Sequence, residues 1–401
     1  MPNIFSGLYK HITNAIEQKK YGLDKQGVHR DPEGYHTVLV DPVFSAGKDL
    51  SKNITDKIAD TGNNTGNLLF ARGIREQIDY EREIWLAGEG VEGIEKPTVI
   101  MPSANFIIHG GDTFIENCKG FLERNDCPVT LAGLGAQSTK ELDTPRKLVD
   151  VLTPLKKEYF KMLSERAVSI GIRGEFTAEC LELMGIHNYR IIGCPSFYKH
   201  LSGTYPHLPE PTLARTQMTV TPGDANETKI LEMGVKLNSI WMMQMMTEMP
   251  KSAFENETLS PVWVERRFPQ LQISLEEFKQ YMLTNARMFF RLEDWNRFYQ
   301  EEGITFSYGS RFHGNMASLR NGVPALWIIH DSRTTELAET LHVPHITIEQ
   351  FAEIKDPQEL LDYCTYDDLY ANYHSLCENY VEFLEENHIS HRFRVRPQKK
   401  S

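Results

Sequence analysis

The chain has 401 residues, of which 40% are hydrophobic and 24% are charged, so it can form two or three globular domains with ordinary cores. Its formal net charge of −12 argues against broad nucleic-acid binding, because that function needs a basic surface. The same charge repels anionic substrates, so we expect local arginines to capture any anionic substrate.

The cysteines and the apolar segments indicate the environment of the protein. The six cysteines are scattered singly, without a C-x-x-C pair or a Cys/His cluster at zinc spacing. We therefore expect reduced thiols and no metal site. The N-terminus lacks a charged start followed by an apolar segment, and no apolar run approaches the roughly 18 residues of a membrane span. These features predict a soluble, cytoplasmic protein.

The first half of the chain alternates short apolar runs with longer helical stretches, a pattern typical of parallel α/β units. Predicted strands are 37–40, 98–101, 105–109, 129–132, 168–172 and 190–192. Most are followed by glycine or proline and then by a helical segment. The helix after Gly174 has apolar residues at helical spacing and is expected to end at Gly185.

A proline-rich stretch at 202–215 interrupts this pattern and is interpreted as an interdomain linker, because proline disfavours helices and inner strands. The pattern then resumes with a strand at 217–221, a long helix to about Met249, and strands at 304–308, 325–329 and 345–348. Asp356 and Pro357 are typical of a helix start, and the last helical segment should run to about Glu386. We predict an α/β protein with Rossmann-like domains at 1–210 and 211–350 and a helical segment with a basic tail at 351–401.

The segment 307–324 contains the most specific candidate site. The predicted strand ends near Gly309, Arg311 and His313 follow, and Gly314 opens a predicted helix. In an open α/β sheet this junction faces the ligand crevice, and the new helix end attracts anions. Arginine holds an anion in a planar fork, and histidine transfers protons near neutral pH. The pattern predicts a site for a small anion that accepts a proton. The alternative interpretation is a surface arginine next to a structural histidine, which would have the same sequence.

Several segments together resemble one known family. They are Asn-Thr-Gly-Asn at 64–67, Ile-Ile-His-Gly-Gly-Asp at 107–112, Gly-Leu-Gly-Ala-Gln-Ser at 133–138, Ser-Ile-Gly-Ile-Arg-Gly at 169–174, and Tyr-Gly-Ser-Arg-Phe-His-Gly at 308–314 with Gly-Val-Pro at 322–324. In this order they resemble the polysaccharide pyruvyl transferases. Three positions depart from the family pattern: His109 replaces a glycine, Gly174 replaces the usual aspartate, and Arg333 stands where lysine is common. The departures leave the acceptor open rather than the reaction class.

The resemblance implies a glycosyltransferase-B-like fold of two Rossmann-like domains facing a cleft. It also implies transfer of pyruvate from phosphoenolpyruvate onto two hydroxyls of a sugar in a cell-surface polysaccharide or its precursor, forming a ketal. Phosphoenolpyruvate is then a donor substrate, and no cofactor is expected. His313 is assigned as the general acid toward C3 of the donor. Arg311 is assigned to the donor anion and to transition-state charge.

Further residues are assigned to the two substrates. The predicted donor-binding residues are Arg311, Arg173, Gly314, Asn315 and Arg333, and the predicted acceptor-binding residues are Asn67, His109, Gly111, Asp112 and Gln137. Asp112 is also a candidate base for the attacking hydroxyl. Structural alternatives stay open for this group: Arg173 could cap the sheet edge, and Asn67 could satisfy a left-handed turn.

Two other functions remain possible from the sequence. One is a nucleotide-sugar-dependent glycosyltransferase of similar two-domain fold, and the other is a non-catalytic glycan-binding protein. The expected partners are phosphoenolpyruvate and a sugar or glycan, with a lipid-linked acceptor as one option, and no nucleic acid. The apolar stripe at 4–16 suits docking on the protein body or on another subunit. The basic tail at 392–400 is either solvated or in peripheral contact with the inner face of an anionic membrane. The oligomeric state is not indicated.

Overall fold

The computed structural model describes residues 18–86, 88, 90–222, 225–245, 248–255, 257–260, 264, 271 and 273–395. Contacts divide the chain into two compact units, Met1–Pro42 with Gly73–Tyr205 and Tyr370–Ser401, and Val43–Arg72 with Pro206–Leu369. The predicted apolar stripe at 4–16 and the tail residues from 396 lie outside the described residues.

The first unit is built on a seven-stranded parallel sheet. Its strands are β1 (His36–Val40), β2 (Arg82–Ile84), β3 (Pro97–Pro102), β4 (Asn105–Ile107), β5 (Val129–Ala136), β6 (Ile170–Ile172) and β7 (Tyr189–Ile191). The order is β2-β1-β3-β5-β6-β7, and β4 pairs with β5. Every residue of β5 is buried, as expected for an inner strand that is covered on both faces.

Helices lie between the strands along the chain in both units. In chain order they are α1 (Ile54–Asp60), α2 (Asn67–Gly73), α3 (Asp112–Arg124), α4 (Pro145–Asp150), α5 (Pro154–Arg166), α6 (Glu175–Leu183), α7 (Ala225–Lys236), α8 (Glu248–Glu255), α9 (Leu275–Asn285), α10 (Leu292–Glu302), α11 (Phe312–Arg320), α12 (Ser332–Thr340), α13 (Ile348–Glu353), α14 (Glu359–Asp362) and α15 (Asp367–Glu386). Local sequence sets several of these starts. For example, Thr153 caps α5 by accepting from the backbone N–H of Lys156, and Pro154 occupies the first turn.

The second unit is built on a six-stranded parallel sheet. Its strands are β8 (Thr216–Thr219), β9 (Ile240–Met242), β10 (Ala286–Arg287), β11 (Phe306–Gly309), β12 (Ala325–Ile329) and β13 (His345–Thr347), in the order β10-β9-β8-β11-β12-β13. The central strands β8, β11 and β12 are fully buried. Because parallel strands share one carboxyl edge, the residues that follow β8 and β11 lie next to each other there.

The α/β class and the two parallel sheets are confirmed, and each predicted strand overlaps an observed one. The long helix predicted to run to about Met249 is wrong. It is divided, because α7 ends at Lys236, Asn238 adopts a left-handed φ of 49°, and Ile240–Met242 then form the buried strand β9. The sequence also gave no prediction for the short strands β2 and β10.

Two segments belong to a different unit from the one predicted by the sequence-based boundaries 1–210, 211–350 and 351–401. Residues 43–72 join the second unit, where the backbone N–H of Thr65 donates to the carbonyl of Gln244 at 2.8 Å. Residues from Tyr370 onward join the first unit, where Arg190 of β7 pairs with Glu382 and Glu386 of α15. The proline-rich linker does contain the observed boundary at Tyr205/Pro206.

Helix length and hydropathy bear on membrane insertion. Among the helices that the structure describes, none combines the length and the apolar character required to cross a bilayer.

Candidate active site

The carboxyl end of β11 places the predicted catalytic segment in the second unit. Gly309 has a φ of 144°, and a Cβ there would lie 2.1 Å from the carbonyl oxygen of Thr219 at the end of β8. Only glycine allows this approach. The backbone N–H of Arg311 then donates to the same Thr219 carbonyl at 3.1 Å, and α11 begins at Phe312. The two strand ends therefore hold Arg311 at the start of the helix.

Arg311 is a cation in a desolvated setting. Its side chain is partly exposed, yet desolvation and the nearby guanidinium of Arg333 lower its pKa from the usual 12.5 to about 10, while Glu227 and Asp331 act in the opposite direction. Among the described residues, no side chain forms a hydrogen bond or an ion pair with the Arg311 guanidinium. Arg311 remains charged at neutral pH and is available to an anion.

Arg333 adds a second guanidinium beside Arg311. Its Nη2 lies 3.2 Å from Asp331 Oδ2, and its Nε is buried without a hydrogen-bond partner in the described part of the chain. Asp331 caps α12 by accepting from the backbone N–H of Thr334 at 2.8 Å. Desolvation opposes ionisation of Asp331, but Arg333, His330 and the Thr334 bonds outweigh it and lower its pKa. The carboxylate thus fixes Arg333 while leaving part of its donor set unused.

His313 occupies the first turn of α11, two residues after Arg311. Its half-buried ring lies 5.6 Å from the Phe70 ring and 5.5 Å from the Phe312 ring, measured between centroids. A Cβ placed on Gly66 would lie 3.0 Å from His313 Cβ, so the turn at 64–67 packs closely against the histidine. The sequence predicted both segments as functional but placed them in different domains; the structure brings them together in one unit.

Two neighbours predicted to bind the donor have structural positions in α11. Asn315 is fully buried, donates to the carbonyls of Gly309 and Leu326 at 2.9 and 3.1 Å, and accepts from the hydroxyls of Ser307 and Thr219 at 2.8 and 3.2 Å. All its hydrogen-bonding capacity is used to connect the strand ends with the helix. A Cβ on Gly314 would lie 2.2 Å from Gln244 Nε2, so this glycine permits tight packing. Donor contact by either residue remains a prediction.

Gln244 is a site neighbour that the sequence did not identify, because the methionine-rich segment around it indicated core packing. Its side chain is buried and its Nε2 has no hydrogen-bond partner among the described residues. It lies between the glycines at 66 and 314. Only its polar character among methionines could have indicated a special position.

Asn67 supports the turn that packs against His313. Its Nδ2 donates to the Thr61 carbonyl at 2.9 Å, and Asn63 within the same turn has a left-handed φ of 62°. The geometry favours the structural alternative for Asn67, and its acceptor contact remains a prediction.

Arg173 lies in the first unit, at the end of β6, and is buried. Its Nε donates to the Gly133 carbonyl at 2.9 Å, its Nη2 to the Ser103 carbonyl at 3.4 Å, and its Nη1 to Asn105 Oδ1. The guanidinium therefore links the interior of β5, the residue after β3 and the first residue of β4. Contact with the donor substrate would require a further N–H of the guanidinium, and that role stays a prediction.

The turn at 109–112 is held by a lysine that the sequence did not single out. Lys156 of α5 is buried, and its Nζ donates to the carbonyls of Ile108, at 2.5 Å, and Gly110, and lies 3.7 Å from Asp112 Oδ1. Desolvation lowers the pKa of Lys156, and Asp112 partly offsets this effect. Gly111 caps α3 with a left-handed φ of 76°. The lysine fixes the turn and thereby the orientation of Asp112.

His109 and Gln137, both predicted to bind the acceptor, line one surface pocket of about 560 Å³ in the first unit. His109 is exposed, and Gln137 is half-buried with its backbone N–H on the Ile107 carbonyl at 3.1 Å. The pocket also has apolar walls, which suit a ligand with both hydroxyl and C–H surfaces.

A separate histidine group lies in the first unit. His29, Glu385 and His391 place one ligand atom each within 4.8 Å of one another. The two imidazole rings are stacked at 4.9 Å with an interplanar angle of 12°, so their in-plane lone pairs do not converge on one point. The backbone N–H of Phe393 also donates to His391 Nδ1 at 3.3 Å. This arrangement is that of a packed polar cluster.

Solved structures that are similar to this chain include the following three, all at low identity. One is described as a functional uncharacterized protein from Klebsiella pneumoniae subsp. pneumoniae NTUH-K2044, 12% identical, covering 84% of this chain and 94% of that one with a TM-score of 0.37. Another is a putative UDP-N-acetylglucosamine 2-epimerase from Listeria monocytogenes, 12% identical, with coverages of 86% and 94% and a TM-score of 0.38. The third is Os79 from O. sativa in complex with UDP and deoxynivalenol-3-glucoside, 10% identical, with coverages of 88% and 95% and a TM-score of 0.33.

Comparison at the level of sequence gives a clearer result. No curated protein matches significantly. A family model described as polysaccharide pyruvyl transferase matches residues 19–332, which include every predicted site residue except Arg333. Because this match extends over most of the 401 residues, the chain belongs to the polysaccharide pyruvyl transferase family.

Proposed function

We propose that the protein transfers pyruvate from phosphoenolpyruvate onto two hydroxyls of a sugar in a polysaccharide or its precursor, forming a ketal. The observation that carries this proposal is the start of α11, where Arg311 and His313 stand two residues apart in a family member and a second arginine lies close by. Phosphoenolpyruvate carries a phosphate and a carboxylate, so it suits a site with two guanidinium groups.

The proposed donor contacts use the charges of the second unit. Arg311 receives one anionic group of phosphoenolpyruvate, and the N-terminal N–H groups of α11 favour negative charge at the same place. Arg333, whose Nε has no partner among the described residues, supplies further donors. Desolvation and, after it, repulsion by Arg333 lower the Arg311 pKa, and an anion between the two guanidinium groups would relieve the repulsion.

The proposed reaction assigns the proton transfer to His313. The imidazolium gives a proton to C3 of phosphoenolpyruvate, which makes C2 electrophilic. One sugar hydroxyl attacks C2 and loses its proton, and the C–O bond to phosphate breaks. The second hydroxyl then attacks C2 and also loses its proton. Of the two hydroxyl protons, one returns to His313 and the other goes to the departing phosphate, so that the products are a cyclic ketal with a new methyl group and inorganic phosphate. General acid catalysis of this kind contributes typically about 10²–10⁴ in rate.

The direct test is release of inorganic phosphate from phosphoenolpyruvate when a panel of sugars, glycolipids and polysaccharides is supplied. Phosphate release that needs both donor and acceptor supports the proposal. No release with any acceptor, together with thermal stabilisation of the protein by a nucleoside diphosphate, would instead favour the glycosyltransferase alternative. Loss of activity on chelation of divalent ions would contradict the expected metal-free chemistry.

A further inference from the structure

The pocket that contains Gln137 lies at the end of a chain of oriented hydrogen bonds. Arg173 Nη1 donates to Asn105 Oδ1, and Asn105 Nδ2 donates to Gln137 Oε1 at 3.0 Å. All three residues belong to the first unit. A guanidinium has only donors, whereas each amide has one accepting oxygen and one donating nitrogen. The arginine therefore determines which way Asn105 points, and Asn105 determines which way Gln137 points.

These hydrogen bonds leave a hydrogen-bond donor in a fixed position at the pocket. Because Gln137 Oε1 is engaged by Asn105, the free end of the amide is Nε2, and no hydrogen bond from Nε2 to another described residue is present. Gln137 lines the pocket and is only half-buried, so this NH₂ group can reach a ligand. A flipped Gln137 would set its NH₂ group against the NH₂ group of Asn105. The buried Arg173 holds Asn105 Oδ1, so Asn105 cannot turn to relieve this clash.

A hydrogen-bond acceptor and an apolar wall complete the pocket. Glu141 lines it with a carboxylate whose Oε2 is held by the Thr139 hydroxyl at 3.0 Å. Ile108, Leu142 and Val151 provide the apolar surface. A sugar hydroxyl both accepts and donates, so it fits between an amide NH₂ and a carboxylate, while the C–H face of the ring packs on aliphatic side chains.

The charge of the pocket restricts the ligand further. Among the described residues that line it, none is lysine or arginine, and Glu141 adds a negative charge. His109 also lines the pocket; with its imidazole neutral, Glu141 is the one charge among these lining residues, and a sugar that carries a carboxylate is repelled.

We infer that this pocket is a subsite for a neutral sugar, in which Gln137 donates to a sugar oxygen, Glu141 accepts from a hydroxyl, and Asn105 with Arg173 acts as a positioning pair. Identification of this sugar with the acceptor rests on the proposed pyruvyl transfer, whereas binding itself does not. Arg173 is thereby assigned the role of orienting, through Asn105, the Gln137 amide that binds the sugar.

The test measures binding without turnover. Methyl glycosides of glucose, galactose and mannose, with methyl glucuronide as the anionic match, are titrated into the full-length protein and followed by saturation-transfer NMR. At least one neutral glycoside should bind, and the glucuronide should bind roughly tenfold more weakly because of the unpaired charge. Absence of binding by every neutral glycoside, or equal binding of the glucuronide, would overturn the inference.

Variants separate orientation from simple structural support. Asn105→Asp keeps a partner for Arg173 but has only acceptors, so Gln137 must turn its NH₂ away from the pocket; affinity for the neutral glycoside should fall about fivefold. Gln137→Met removes only the last member of the chain and should have a similar effect. Lys157→Ala, an exposed change on α5, is the matched control and should leave affinity unchanged.

A spectroscopic readout accompanies the affinities. The side-chain amide resonance of Gln137, identified by its loss in Gln137→Met, should shift on addition of the neutral glycoside and should already be shifted in Asn105→Asp. Parent-like affinity in both variants would refute the inference, and if Asn105→Asp fails to fold, Gln137→Met decides alone. Glycoside binding that depends on Gln137 without any phosphoenolpyruvate-dependent transfer would refute the proposed function and leave the subsite standing.

Discussion

Arg311 and His313 divide the proposed chemistry between a side chain that is cationic at neutral pH and an imidazole ring that transfers a proton. The carbonyl of Thr219 fixes the backbone of Arg311, and Phe70, Phe312 and the turn around Gly66 surround His313. Such packing limits the positions of both side chains before substrate arrives, which favours preorganised catalysis.

The first prediction concerns proton transfer. His313→Ala should lower kcat by about 10²–10⁴ and leave the Kd of phosphoenolpyruvate nearly unchanged, because the imidazole acts on C3 rather than on the anionic groups. Turnover and donor binding are measured separately, by phosphate release and by calorimetry. The exposed His187→Ala serves as the control and should resemble the parent. Normal turnover in His313→Ala would remove this residue from the mechanism.

The second prediction concerns the charge of Arg311. Its pKa of about 10 means that donor affinity should be constant near neutral pH and should fall as the pH rises through about 10, where the cation is lost. In Arg311→Lys the loss should occur roughly two pH units lower, because lysine starts from a lower pKa in the same surroundings. The measurement is the Kd of phosphoenolpyruvate against pH. Identical profiles for the two proteins would show that Arg311 does not bind the donor.

At the scale of secondary-structure elements, the site depends on the close approach of β8, β11 and α11. Asn315 satisfies all its hydrogen bonds across this junction, and Gly309 leaves no space for a side chain. The helix start is therefore placed by packing that involves residues far apart in the chain.

The third prediction compares two glycines of the second unit. Gly309→Ala should destabilise the protein by about 3 kcal/mol or more, because its Cβ would lie 2.1 Å from the Thr219 carbonyl oxygen, and should also reduce turnover. Gly322→Ala, with a φ of 77° and open space around the added Cβ, should cost only about 1–2 kcal/mol. Urea denaturation gives both values. Equal costs would contradict the close approach of β8 and β11.

Local patterns in the sequence predicted much of this junction but not its surroundings. The apolar run before Gly309 and the helical spacing after Gly314 predicted β11 and α11. Lys156 and Asn105 were not identified, because each acts through partners that are distant in sequence: Lys156 through carbonyls near Ile108, and Asn105 through Arg173. Gln244 was not identified because the methionines around it indicated core packing. The long helix expected to reach Met249 failed because burial in the sheet outweighed the helical pattern at β9.

At the scale of the whole molecule, both ends of the described chain contribute to the first unit. Residues Tyr373, Tyr380 and Phe383 of α15 are fully buried, although the sequence suggested a separate C-terminal segment. The backbones of His29 and His391 pair with each other, and their rings stack beside Glu385.

The fourth prediction follows from this cluster. Desolvation and His29 lower the pKa of His391 from 6.5. The unfolded chain therefore takes up this proton first as the pH falls below about 6.5, and stability should decrease there. The pKa of Glu385 is also lowered, because its histidine partners outweigh desolvation, but its stabilisation is lost only below about 4.5.

The test of this pH dependence is the urea midpoint at pH 7 and at pH 5. The parent protein should lose stability between these values, and His391→Gln should show a smaller decrease because one of the responsible groups is absent. His187→Gln, at an exposed position, should behave like the parent. A larger pH dependence in His391→Gln would show that the sign of the linkage is wrong.

The central claim is the transfer of pyruvate as a ketal, and the mass of the acceptor tests it most directly. After incubation with phosphoenolpyruvate, the acceptor should gain about 70 Da, which corresponds to pyruvate less one water, with one phosphate released for each group added. The gain should be absent in His313→Ala. An acceptor that stays unchanged with phosphoenolpyruvate but gains a whole sugar residue from a nucleotide sugar would contradict the account.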